Sequence, residues 1–565
     1  MPVGAFTFVL HSHLPWVLNH GRWPHGVDWL NEAAAETYLP LWRVLQSRAS
    51  RGPLGVTLGM SPVLCEQLAQ PEFHREFVSY LEQKIQAAAE DRVSFVATGE
   101  HHLATLAARW ERFYRETLED FMGPHGPNLV ARFRRLEESG AIELITCGAT
   151  HGYLPLLSDD TCVSGQVRTA IAAHRRHFGR APRGIWLPEC AYRPAGPWHS
   201  PVNAGETTPR RGVEEHLEAG DLSYFFVDRH LLGGGVPLGK YADRFDALRP
   251  AVKDGAAPPA SNDHPPYRPY RVGSAAHVSC FGRDPVTAMQ VWSGEHGYPG
   301  DGAYLDFHKK RFPGGHRYWA VTHPLADLAH KVPYEPDAAA ARAPEHARHF
   351  VELVRGVLQS AAKLQAAPPI VTAMYDTELF GHWWFEGPEF LGAVLDLLPE
   401  MGISPTTAGR WLEQHPAEEI VALPEGSWGD GGQHAVWLNE KTEWTWRLVH
   451  QAESRYQRLA QEAASRPSDG PLDRLMKQAG RELLLVEASD WQFLITTLAA
   501  RDYAELRIVS HAEDFNRLAH LIERRLAGGL LSEADDRFVA EAERRDPLFP
   551  DLDWRSYAGQ PALAR

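Results

Sequence analysis

The stretch Ala5-Phe-Thr-Phe-Val-Leu-His-Ser-His13 sets the pattern for the chain. An apolar, β-prone run ends abruptly in polar groups, here His11 and His13. The first ten residues carry no basic leader and no small-residue cleavage site, so they read as a strand and not as a secretion signal. The same motif recurs along the chain. Leu54–Leu58 leads into Met60 and Ser61, and Val93–Val96 into Glu100, His101 and His102. Ile142–Thr146 leads into Cys147 and His151, Gly184–Leu187 into Glu189, and Leu222–Val227 into Asp228. Ala276–Phe281 leads into Arg283, and Ile370–Met374 into Asp376. Short apolar runs separated by helical stretches predict parallel strands of an α/β fold, buried on both faces. In such folds chemistry gathers at the C-terminal strand ends. The reading therefore brings His11, His13, His151, Glu189, Asp228 and Asp376 towards one cleft.

Between residues 61 and 135 long helical patterns, Glu72–Ala89 and Arg109–Phe121, read as helical insertions. Pro194–Arg211 and Leu248–Pro269, rich in Pro, Gly, Ala and Ser, read as loops. A third loop, 232–245, has the glycine run Gly233-Gly-Gly at its base and carries Tyr241. Thr406-Thr407 after Met401–Ile403 predicts a helix cap. Beyond about residue 412 strands fade, and Leu472–Glu487, Asp502–Leu526 and Ser532–Arg544 carry helical periodicity. The expected division is 1–411 for the α/β unit and 412–565 for a helical domain.

Composition narrows the function. The 565 residues are 44% hydrophobic and 23% charged, an ordinary globular balance. Net charge is 57 − 72 = −15, without basic blocks. That disfavours nucleic acid and anionic membranes, which need clustered Lys and Arg. A neutral partner is expected. Five cysteines without C-x-x-C spacing suit a reducing cytoplasm. Eighteen tryptophans, many beside Gly, Asp, Glu and His, suit sugar rings, which offer apolar faces and polar edges.

Two carboxylates stand out. Glu189 follows Pro188, where a strand must stop, and is placed to attack a substrate. A plain ion pair with Arg193 is the competing reading. Asp376 lies in an aromatic segment that desolvates its charged form, which makes a general acid usable near neutral pH. Glu378 and Glu386 compete for that role. One nucleophile and one acid suffice to break a glycosidic bond with retention. His11, His13 and His151 could ligate Zn²⁺, but no acidic co-ligand is evident in the spacing, so hydrogen bonding to sugar hydroxyls or to a carboxylate is the preferred role. The glycine-rich stretch 424–446 carries Trp428, Trp437, Trp444 and Trp446 and reads as a ligand-approaching loop more than as core.

Five segments carry a family resemblance: His11-Ser-His-Leu-Pro-Trp16, Cys147-Gly-Ala-Thr-His-Gly-Tyr-Leu-Pro155, Trp186-Leu-Pro-Glu-Cys-Ala-Tyr192, Tyr375-Asp-Thr-Glu-Leu-Phe-Gly-His-Trp-Trp384 and Trp428–Trp446. The chain resembles the 1,4-α-glucan branching enzymes of glycoside hydrolase family 57. The resemblance implies an incomplete (β/α)7 barrel with helical insertions and a C-terminal all-α domain. It implies Glu189 as nucleophile and Asp376 as acid/base. It implies substrate contacts at Arg283, Gly300, Trp292, Trp428, Trp437 and Asp490, and a functional tyrosine at Tyr241. A Gln that the family has nine residues after Asp490 is Ala499 here. No metal or organic cofactor is implied. The expected partner is an α-1,4-glucan, with the protein acting as a monomer. An α-amylase or 4-α-glucanotransferase, a metal-dependent glycosidase or deacetylase, and a non-catalytic glycogen-binding protein are the alternatives.

Overall fold

The computed structural model describes residues 2–22, 24–203, 205, 207–233, 264–273, 275–293, 297–467 and 469–559. Tyr241 and most of the expected 232–245 loop lie outside these residues, as does 248–263.

Seven strands are β1 (Ala5–Ser12), β2 (Val56–Met60), β3 (Glu143–Ile145), β4 (Gly184–Ile185), β5 (Tyr224–Val227), β6 (Ser279–Gly282) and β7 (Ile370–Asp376). They run parallel and pair in chain order. β1 pairs β2 from Phe8↔Val56, and β2 pairs β3 from Thr57↔Glu143. The bridge Thr146↔Ile185 joins β3 to β4. β4 pairs β5 from Gly184↔Tyr224, and β5 pairs β6 from Tyr224↔Ser279. β7 returns to β1 in the register Ala5↔Ile370 to His11↔Asp376. Between β6 and β7, the Asp284 N–H donates to Thr372 O at 3.2 Å, and the Thr372 hydroxyl donates to Gly282 O.

The strands are buried along their length, as parallel strands with both faces covered must be. Alternate residues serve two cores. Phe6, Phe8 and Leu10 join the large outer cluster under the helices. Ala5, Val9, Ile145, Trp186, Phe226, Phe281 and Met374 fill a small inner cluster. Space inside is tight at β4: a Cβ on Gly184 would lie 2.3 Å from the Tyr224 ring.

Three expectations need correction. Val93–Val96 is not a strand but the last turn of the helix Pro71–Ala97. Only Phe95 of that run faces inward, while Val93 and Val96 are exposed, so a helical period underlies what reads as a β-run. The loop Pro194–Arg211 contains an antiparallel hairpin, Gly196–His199 with Thr207–Arg210. The junction at 411/412 falls inside the helix Ala408–Gln414, which Thr407 caps through the Arg410 N–H. Beyond it Ile420–Val421 pairs with Tyr270–Val272, which is itself antiparallel to β6. The α/β unit therefore continues past Val421. Among the described residues five α-helices follow: Glu443–Ala464, Gly470–Val486, Asp490–Thr497, Arg501–Leu526 and Glu533–Arg545. No helix among the described residues is long and apolar enough to cross a membrane.

Candidate active site

The polar strand ends do converge. β1 delivers His11 and His13, and the register sets His11 directly beside Asp376 at the end of β7. After β3 and β4 the chain turns through left-handed backbone at His151 (φ 62°), Glu189 (φ 61°) and Cys190 (φ 48°). Such conformations cost about 1–3 kcal/mol each and persist where the surroundings dictate them. At Glu189 the surroundings are Trp428. Its backbone N–H donates to Glu189 O at 3.1 Å, and its indole N–H donates to Glu189 Oε2 at 2.7 Å. Arg193 makes no ion pair with Glu189 and donates to Pro194 O instead.

Three carboxyl groups share this interior. Burial pushes Glu189 up to about 7, against the opposing pull of the Trp428 indole. Burial also raises Asp376 well above the carboxylate range, and the Glu378 and Glu189 charges add to it. Glu378 is pushed up to about 7 by burial, opposed by hydrogen bonds from the Tyr38 hydroxyl and the His13 N–H. Like charges in a dry site cannot all ionise together. Glu189 and Glu378 each have donors that favour the anion. Asp376 has no such donor among the described residues, so burial and the neighbouring carboxylates favour its protonated form. Glu386 is elsewhere, accepting from Tyr334 OH (2.6 Å) and Leu305 N (3.1 Å).

The three histidines form one stack. His13 and His151 rings are 3.9 Å apart, and His11 stacks on Trp186 at 5.0 Å with the planes nearly parallel. The Ser489 hydroxyl donates to His151 O at 2.7 Å, so it accepts from His151 Nδ1 at 2.9 Å. His151 Nε2 is then the acceptor of the 3.0 Å bond from His11 Nε2. Burial and the neighbouring rings hold His11 and His151 well below the usual imidazole range, so both are neutral. His13 bonds Ser61 Oγ at 2.8 Å and Asp490 Oδ1 at 3.0 Å. The spacing offered no acidic co-ligand, yet the fold brings Asp490 to His13 and His151, and these three could hold a metal ion. Their nitrogens are already engaged, however. Among the three rings only His11 Nδ1 lacks a partner.

Arg283, after β6, lies over the Trp428 ring (5.4 Å) and the Trp292 ring (5.9 Å). Asp228 backs it at 4.0 Å; burial raises Asp228, but His230 and Arg283 outweigh this and hold it below its usual range. The half-buried Trp292 stands perpendicular to Trp428 at 6.2 Å, and Trp383 lies 6.5 Å from it. Trp437 is a correction. It is fully buried, stacked on Tyr153 at 4.5 Å, and its carbonyl accepts from Trp446, which is also fully buried. Three of the four tryptophans in the stretch, Trp428 among them, are therefore buried, and Trp428 belongs to the inner cluster. Gly300 closes the turn Tyr298–Gly300, and none of its described contacts reaches Glu189 or Asp376. Ala499 is exposed. Tyr38 and Ser489 carry no local signal in the sequence, and only the fold brings them to the cleft.

A buried carboxyl pair, one member fixed by an indole donor and the other favoured in its protonated form, flanked by aromatic faces and neutral imidazoles, is suited to acid-assisted displacement at a sugar. Residues 7–424 match glycosyl hydrolase family 57, and residues 448–557 match the C-terminal unit of 1,4-alpha-glucan branching enzymes. The chain belongs to glycosyl hydrolase family 57. It is 40% identical to the 1,4-alpha-glucan branching enzyme of Thermococcus kodakarensis over 97% of this chain and 77% of that one. The crystal structure of the family 57 branching enzyme from Pyrococcus horikoshii superposes with a TM-score of 0.89 at 40% identity, covering 99% of this chain and 97% of that chain. An alpha-amylase from Thermotoga maritima has a TM-score of 0.80 at 27% identity, covering 99% and 100%.

Proposed function

We propose that this protein is a 1,4-α-glucan branching enzyme, a retaining transglycosylase that cleaves α-1,4 bonds and forms α-1,6 branches. The observation that carries this reading is the reach of the C-terminal helices into the cleft. Asp490, inside the segment that matches branching enzymes, bonds His13 at the end of β1.

In this reading the seven parallel strands are the staves of an incomplete (β/α)7 barrel, with helical insertions over 61–135 and a C-terminal helical domain. Glu189 is the nucleophile. The Trp428 indole fixes one carboxylate oxygen and leaves the other to attack the anomeric carbon. Asp376 gives its proton to the departing glucan oxygen, and a glycosyl-enzyme ester forms at Glu189. Asp376, now a carboxylate, takes the proton of an acceptor 6-hydroxyl, which attacks the anomeric carbon, breaks its bond to Glu189, frees the Glu189 carboxylate and forms the α-1,6 bond. Arg283, Trp292, Trp428 and Asp490 bind the glucan, while His11, His13 and His151, bonded or stacked on one another and held by Ser61, Ser489 and Asp490, form the wall of the cleft beside it.

Amylose incubated with the enzyme should lose iodine colour and yield short chains on debranching, with few new reducing ends. Reducing ends without α-1,6 linkages would make the protein an α-amylase instead.

A further inference from the structure

The geometry points to Tyr38 as a positioning residue that keeps Glu378 as the charged neighbour of Asp376. This rests on the assignment of Asp376 as the proton donor.

Tyr38 ends a single π-helical turn, Ala34–Tyr38, set between the helices Val27–Ala33 and Leu39–Gln46. Such turns shift the helix register by one residue and recur at functional sites. Here all five residues are buried, so the shift turns both Glu36 and Tyr38 inward. Glu36 is anchored by Arg317 at 2.8 Å and His382 at 3.0 Å. The loop after Asp376 lies directly on this turn: a Cβ on Gly381 (φ 124°) would sit 1.9 Å from Glu36 O. With both sides fixed, the Tyr38 hydroxyl donates to Glu378 Oε1, and the His13 N–H donates to the same oxygen at 3.2 Å.

Tyr38 is buried and its own proton is held far above the usual phenol range by burial and by Glu378, so it donates at every working pH. The charged and titratable groups around it are Glu378 and Asp376 from the end of β7 and Cys65 from the helix Pro62–Ala69. Glu378 also faces His13; Asp376 faces Glu378, Glu189 and Arg283. A donor that acts only on Glu378 stabilises its anion. That anion disfavours charge on Asp376 and keeps Asp376 protonated for the first chemical step.

The test is the pH profile of kcat/KM on amylose for Tyr38→Phe, Glu378→Gln and the double variant, with circular dichroism as the check of fold. Loss of the hydroxyl lets Glu378 take up a proton, so Asp376 loses its like-charged neighbour and gives up its own proton more readily. The basic limb should move to lower pH, by about one unit. Glu378→Gln, which leaves Tyr38 intact, should move it the same way, and the double variant no further. A basic limb unmoved in Tyr38→Phe, or shifts that add in the double variant, would overturn the proposal. Absence of branching in the wild-type enzyme would instead count against the assignment of function.

Discussion

His13 and Asp490 are 477 residues apart in the chain and 3.0 Å apart in the fold. Asp490 opens the helix Asp490–Thr497, where the backbone dipole favours an anion. Just before it, the Ser489 N–H and hydroxyl both donate to His151 O, and Gly152 pairs with Ala488. The C-terminal helices are thus latched onto the turn after β3 and add one wall of the cleft.

Glu189→Gln and Asp376→Asn should each lower turnover by at least about a thousandfold while leaving the circular dichroism spectrum unchanged. Both positions follow from strand ends, so neither change disturbs the core. Glu378→Gln should lose less. Activity within tenfold of wild type in Glu189→Gln or Asp376→Asn removes that residue from the chemistry, and a dead Glu378→Gln beside an active Asp376→Asn transfers the acid role to Glu378.

Trp428→Phe keeps the aromatic volume but removes the indole donor. That bond favours the Glu189 carboxylate, whose pKa is already pushed up to about 7 by burial. Without it the pKa rises further. A nucleophile must be ionised, so the acidic limb of kcat/KM should move to higher pH, by about one unit, and KM should rise. An unmoved acidic limb would mean that the indole does not govern this carboxylate.

Prolonged dialysis against chelator should leave branching intact. The basis is positive: both nitrogens of His13 and of His151 are held by protein partners, and a metal would have to break those bonds. Loss of activity that Zn²⁺ restores would make His13, His151 and Asp490 ligands.

Tyr241→Ala should lose new α-1,6 linkages far more than reducing-end release on the same amylose. The family resemblance implies a functional tyrosine at this position, and branching demands that a glucan hydroxyl reach the glycosyl-enzyme before water does. Equal loss of both activities would place Tyr241 before the covalent intermediate.

The strand ends are written locally in the chain. Seven of the eight apolar runs with polar tips became parallel strands, because a parallel strand buried on both faces leaves a local signature of continuous apolar residues. The eighth, Val93–Val96, shows the limit of that signature: four apolar-rich residues fit either period, and the helix already running from Pro71 decided the matter. The carboxylates Glu189 and Asp376 were legible for the same local reason. The tertiary structure alone decided which residues serve them. Trp428 meets Glu189, Tyr38 meets Glu378 and Asp490 meets His13 across hundreds of residues, and no local spacing encodes such pairs. It also divided the tryptophans, setting Trp428 against Glu189 in the inner cluster, stacking Trp437 on Tyr153 and leaving Trp292 half-buried. Composition can state that a ring is apolar and flat; only the packing around it decides whether that face is left for a ligand.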